Sequence, residues 1–378
     1  MRFWRAIART VAVAALAGAL VRCSSSVEIV TPTPARANAF TEKYAVLSPN
    51  TVTSLTEVAQ LTAAAYMSKA SAVAYSLDAN TVLAAYAEEG YVVRWDLATG
   101  DIIEEQHLGI VSPRGLGFDI SGNVLMGPTA REVDTASPDA AEHVNGIGLW
   151  DTRTGKLIRC LTHPCTGNVP GRDGYLGAKM DTTGSWVLIY SEWGFSTLDL
   201  TGASAGRISL INSPDSAYGW RLGTIAVDAA HRRIALVLSE GGIWLDSLDG
   251  SMRNYQTLVD GVKNANRTIH DAVFDLAGQW LGILIDDTLS VWQMKAKPDK
   301  PYLEATVSNG IAIRFDQTGS LLLVAGGDRL LVWNLADKTR MAEFRTPGIT
   351  SLGVSQDNRL VLWGDADGSI HVWGTALP

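Results

Sequence analysis

Apolar runs of about five residues recur along the chain, among them Trp186 to Tyr190, Ile234 to Leu238 and Leu321 to Ala325, each bracketed by short polar segments. Runs this short and this continuously apolar predict strands buried on both faces. Just ahead of several of them stands Asp-x-x-Gly: Asp181 to Gly184, Asp275 to Gly278 and Asp316 to Gly319. The aspartate brings a side-chain acceptor and the glycine tolerates positive φ, so these segments predict the turn from a first strand into a second. No long amphipathic helical pattern appears after the first residues, and 36 glycines and 12 tryptophans are spread along the chain. The pattern predicts an all-β protein of many short strands.

The strands repeat. From Phe315 to Trp333 is 18 residues, and the same spacing separates Phe274 from Trp292, Met180 from Leu198 and Val227 from Leu245. Tyr75 to Trp95 spans 20, Val354 to Trp373 spans 19 and Phe118 to Trp150 spans 32, which makes seven copies. A copy of this size cannot cover both faces of its own sheet, so the copies must stack. Several end on Trp95-Asp96-Leu97-Ala98-Thr99-Gly100 or Trp150-Asp151-Thr152-Arg153-Thr154-Gly155.

Those endings resemble the Trp-Asp signature that closes the third strand of WD40 repeats, and the resemblance covers residues 53–378. It implies a seven-bladed β-propeller of four-stranded antiparallel blades. The last copy ends at Trp373 to Pro378 with no sequence left for a fourth strand, while Thr56 to Leu61 resembles the fourth strands Thr339 to Phe344 and Lys156 to Leu161. Residues 53–62 are therefore expected to complete the seventh blade. Such closure removes the edges an open ring would expose.

The N-terminus reads as an export signal. Arg2, Arg5 and Arg9 precede an apolar stretch from Val11 to Val21 that is too short for an ordinary spanning helix. Leu20-Val21-Arg22-Cys23 resembles the lipobox of bacterial lipoproteins but has Arg22 where a small residue is usual, and Cys23 is the lipidation candidate. An alternative cut lies at Ala37-Asn38-Ala39. The expected organisation is a signal peptide over 1–23, a flexible linker rich in Ser, Pro, Thr and Ala over 24–52, and the propeller over 53–378. This predicts a secreted or envelope-tethered protein, its only membrane contact an N-terminal lipid anchor. Cys160 and Cys165 form an even pair able to bridge a loop in an oxidising compartment, or else are two separate buried thiols. The formal charge of −8 becomes more negative once the four arginines of the first 22 residues are set aside, which disfavours nucleic acid.

Function is expected in the loops. In WD40 propellers the connections from fourth to next first strand share a face with those from second to third strand. The connections from Gly155 to Met180, Ala203 to Val227 and Gly250 to Phe274 are longer than the others, and the excess of the second copy falls at about Pro128 to Gly146. Long loops on a rigid frame commonly carry binding, although extension without function is also tolerated. Tyr175, Trp193, Trp220 and Arg221 are the candidates for a protein or peptide partner, since aromatic and arginine side chains supply desolvated anchors.

Chemistry is sparse. No Gly-x-Ser-x-Gly, His-Glu-x-x-His or paired Cys-x-x-Cys occurs, so no catalytic residue, metal or cofactor is expected. Four residues before each Phe-equivalent lie Ser71, Arg114, Leu176, Gly223, His270, Ile311 and Thr350, a column at the mouth of the expected channel. Its single histidine cannot hold a metal alone. Glu132, Asp134, Asp139, Glu142 and His143 lack calcium-loop spacing and read as a solvated acidic hairpin. The expected function is a non-catalytic, monomeric extracytoplasmic scaffold. The alternative is a secreted hydrolase or lyase using Arg114, His270 and Asp271 at the channel mouth.

Overall fold

The computed structural model describes residues 40–65, 67–76, 80–108, 116–119, 122–130, 144–161, 175–181, 186–191, 194–199, 208–210, 221–228, 230–248, 256–259, 267–294, 300–346 and 348–377. Their strands form seven four-stranded antiparallel sheets. Blade 1 comprises Ala72–Tyr75, Thr81–Tyr86, Tyr91–Asp96 and Ile102–His107, and blade 2 comprises Gly117–Phe118, Val124–Ala130, Val144–Asp151 and Leu157–Leu161. Blades 3 to 6 follow in chain order, with innermost strands Tyr175–Met180, Leu222–Asp228, Ile269–Phe274 and Gly310–Phe315. Blade 7 is built from Ile349–Val354, Leu360–Asp365 and Ile370–Gly374, with Thr56–Leu61 from the start of the chain as its outer strand. Each innermost strand touches the next, and that of blade 7 touches that of blade 1, so the ring closes around a channel.

The expectation of seven equivalent blades needs correction. Six have innermost strands of four to seven residues, and among the described residues blade 2 has only Gly117–Phe118. Gly117 weakens this strand, because glycine has no side chain to pack. Blade 2's long hairpin is also shorter than read from sequence. Thr129 pairs with Gly146 and Ala130 with Val144, so the strands extend into the segment assigned to the loop.

Register shows where the copies correspond. Phe315 pairs with Leu322 and Leu322 with Trp333, and Tyr75–Val82–Trp95, Phe274–Leu281–Trp292 and Val354–Val361–Trp373 follow the same path. In blade 4 the path is Val227–Ile234–Asp246, so Leu245 is one residue short of the tryptophan position. The cause is the hairpin. Leu238 N donates to Gly242 O at 2.8 Å across a three-residue loop with Gly241 at φ 81°, where blade 6 turns in two residues, Gly327-Asp328.

The Asp-x-x-Gly turns act as their chemistry requires. The carboxylates of Asp119, Asp181, Asp275 and Asp316 accept the backbone N–H five residues on, at 2.8, 2.6, 2.6 and 2.8 Å. Gly278 and Gly319 take φ of 60° and 69°. The core lies between blades, where Trp95, Trp292 and Trp363 are fully buried.

Residues 40–52, read as linker, are packed onto the ring. Leu47 and Val52 are buried with Leu321, Leu330 and Leu352, and Tyr44 bridges to Ala376. Asn358 Nδ2 donates to Leu47 O at 3.1 Å and Leu47 N donates back to Asn358 O at 2.6 Å. The polar composition of 24–39 is not continued here, because Leu47, Val52 and Leu55 supply apolar side chains to the last blades.

Candidate functional site

Two surfaces carry candidate function: the face bearing the long connections, and the channel. The connections are tied to the hairpins of the same face by backbone hydrogen bonds. Ser239 N donates to Arg221 O at 2.8 Å, Arg267 N to Ser239 O at 2.9 Å, Val307 N to Asp287 O at 2.8 Å and Thr346 N to Asp328 O at 2.8 Å. Connections from fourth to first strand and hairpins from second to third strand thus share one face. On it, the spans from Leu161 to Tyr175 and Leu210 to Leu222 are far longer than those from Thr306 to Gly310 and Arg345 to Ile349.

Arg221 stands on this face. Its Nε lies 3.8 Å from Glu240 Oε1, and its backbone N–H donates to Glu240 Oε2 at 3.1 Å. The Arg221 side chain is 40% exposed and that of Glu240 only 3%. The buried carboxylate holds the backbone of the connection and leaves the guanidinium partly free. Tyr175 is a strand position paired with Ser191, and Cys160 pairs with Gly148. Trp193, Trp220, Cys23, Cys165, Arg114 and the acidic set Glu132, Asp134, Asp139, Glu142 and His143 lie outside the described residues. No group of three His, Cys, Asp or Glu placed to hold a metal occurs among the described residues. No helix among them is long and apolar enough to cross a membrane.

The channel is a cavity of about 460 Å³ lined by the innermost strands. In five blades the register of these strands shifts near the start, skipping Leu176, Gly223, His270, Ile311 and Thr350. These are members of the column aligned from sequence. A bulge re-aims a side chain, so the repeated shift turns this column away from regular strand alternation. His270 is accordingly exposed, while the next residue, Asp271, is buried.

Asp271 is the most constrained acid in the channel. Oδ1 accepts from Lys179 Nζ and Ala272 N, both at 2.9 Å, and Oδ2 from Arg314 Nη1 at 2.7 Å and Ile313 N at 3.3 Å. Burial pushes its carboxyl up, but Lys179 and Arg314 outweigh that and hold it down at about 2. Burial likewise works against the Lys179 ammonium, and Asp271 more than compensates, leaving its pKa raised. The triad joins blades 3, 5 and 6 across the channel. An acid so fully held in its charged form is a poor proton acceptor or donor near neutral pH, so Asp271 is an electrostatic strut and not an acid–base group. Lys179 and Arg314 escaped the sequence alignment because they stand one residue before their Phe-equivalents, Met180 and Phe315, and the aligned column was four before.

Sheet order, ring closure and channel define a β-propeller of four-stranded antiparallel blades. The chain is similar in fold to the solved β-propeller domain of Cps50 (Swd1) from Myceliophteria thermophila, with a TM-score of 0.62 over 85% of this chain and 99% of that one at 13% identity. At that identity the likeness is one of fold. No protein-family model and no curated protein matches the chain.

Proposed function

We propose that this protein is a non-catalytic, extracytoplasmic, monomeric propeller scaffold that holds a protein or peptide partner on the face carrying the long connections of blades 2 to 4. The observation that supports this reading is the hydrogen bonding of Arg221 and Arg267, where the connections into blades 4 and 5 end, to Ser239 in the hairpin of blade 4. Extended loops on a rigid frame are where proteins present binding residues. Tyr175, Trp193, Trp220 and Arg221 are the proposed contacts. Cys23 is the proposed anchor point to the envelope, and Cys160 and Cys165 the proposed bridge within a connection.

The test is affinity capture from envelope extract. It compares wild type with Trp220→Ala, Arg221→Ala and a chain trimmed between residues 132 and 142, each verified by its melting curve. A partner retained by wild type and lost by the folded variants supports the reading. Equal capture by all of them removes the loop face as the binding surface.

A further inference from the structure

Closure of the ring depends on where two hydrogens sit. His371 Nδ1 lies 2.8 Å from Glu57 Oε1 on the outer strand Thr56–Leu61, and Nε2 lies 2.9 Å from Asp365 Oδ2 in the hairpin of blade 7. Each contact between a ring nitrogen and a carboxyl oxygen needs one hydrogen, and a neutral imidazole carries only one. The second comes from a protonated ring or from a carboxyl. Burial, reinforced by Asp367, pushes the Asp365 carboxyl up, so a hydrogen is retained by the cluster as a whole. The His371 and Asp365 side chains are buried while that of Glu57 is 41% exposed, so the link to the outer strand is the one solvent reaches.

The surroundings favour keeping that hydrogen. Burial, Asp365, Glu89 and Asp367 together push the Tyr86 phenol up, so three carboxylates converge where blade 1 meets this hairpin. The segment Met67 to Ala70, packed on the hairpin at Gly364 and Gly368, adds the exposed Lys69. On the blade 6 side, Trp363 stacks on the imidazole and packs with Leu330 and Val332. Asp328, Arg329, Arg340 and Glu343 of blade 6 pair with one another, and its Arg345 is exposed. Acids thus outnumber cations around the ring, and nearby negative charge favours the protonated form of a group.

We propose that ring closure is a proton-linked latch: docking of Thr56–Leu61 takes one hydrogen into the Glu57–His371–Asp365 chain, and rising pH weakens the closure. With the strand undocked, Glu57 and the ring meet water, and one hydrogen on the ring suffices. The extra hydrogen stabilises the docked state at the acid end of the imidazole range, about pH 5. That contribution is lost as pH rises through the value at which the docked cluster gives the hydrogen up. Beyond it, one ring nitrogen and one carboxylate oxygen face each other with lone pairs alone. The latch is separate from the loop face and does not rest on the partner-binding reading.

The experiment is hydrogen exchange of the full chain, read by mass spectrometry from about pH 5 to about pH 9, a span that covers the imidazole range. Protection factors of Thr56–Leu61 are divided by those of Thr339–Arg345, the outer strand of blade 6, which has no histidine. The ratio should fall with rising pH, by at most about tenfold per pH unit, the limit for one hydrogen. His371→Gln removes the titrating ring and should flatten the profile. Glu57→Gln donates its own amide N–H to the ring, so it should flatten the profile and leave the strand docked. Where His371→Gln does not fold, the partly exposed Glu57→Gln variant decides. The proposal is overturned if the wild-type ratio does not fall as pH rises, or if a folded variant keeps the wild-type slope.

Discussion

Glu57 Oε1 lies 2.8 Å from His371 Nδ1, joining the first strand of the chain to the last across 314 positions of sequence. The other ring nitrogen of His371 lies 2.9 Å from Asp365 Oδ2, and Trp363 stacks on the imidazole at 5.5 Å. Burial, reinforced by Asp367, pushes the Asp365 carboxyl up despite the histidine beside it. One histidine thus links the outer strand of blade 7 to the hairpin at its inner end. The ladder from Thr56↔Gly374 to Leu61↔Ile370 completes the closure.

A chain beginning at Ala63 lacks that strand, together with buried Leu47, Val52, Leu55 and Leu61. It should lose its cooperative melt and scatter light as the exposed edge pairs between molecules. A soluble chain with an unchanged melting temperature would show that closure does not stabilise the ring. Glu57→Ala removes only a partly exposed partner, and about 1 kcal/mol is expected by urea unfolding.

Asp271→Asn tests the channel strut through pH. The folded carboxyl sits at about 2, below its ordinary 3.8, so its ionisation stabilises the fold above the ordinary value and that contribution is lost as pH falls toward 2. The difference is worth about 2 kcal/mol at neutral pH. Urea unfolding of wild type and variant should show that gap at pH 7 and see it narrow between pH 4 and pH 2. A gap independent of pH would assign the loss to packing.

Trp333 is 4% exposed and packs with Leu284, Val291, Phe315 and Leu331 between blades 5 and 6. Trp333→Ala should cost about 3–5 kcal/mol. Leu157→Ser, at a side chain 49% exposed on an outer strand, should stay within about 0.5 kcal/mol. Comparable losses at both positions would contradict a core located between blades.

Blades 7 and 1 meet too closely at Gly364 for any side chain. A Cβ there would lie 2.4 Å from Ala70 Cβ and 2.8 Å from Ser351 Oγ, whereas one at Gly348 meets nothing within 4 Å. Gly364→Ala should therefore destabilise by about 1–3 kcal/mol, and Gly348→Ala should leave the melting temperature near wild type. Equal melting of the two variants would mean that the blades can part at no cost.

The sequence by itself determined what depends on local chemistry. Asp275 and Asp316 show as turn formers because an aspartate and a glycine three positions apart meet the needs of one backbone turn. Leu321 to Ala325 shows as a buried strand because it is apolar throughout. Thr56 to Leu61 was legible as the missing outer strand because its neighbours in kind, Thr339 to Phe344, stand elsewhere in the same chain. Only the tertiary structure decided what depends on how separate segments meet. The three-residue loop ending at Gly241 moved the tryptophan position from Leu245 to Asp246, since one added residue shifts a ladder by one. Leu47 and Val52 left the linker because the last blades offered them an apolar surface. Lys179, Asp271 and Arg314 met because the ring curves three distant strands around one channel, and no spacing along a chain encodes a distance across a ring.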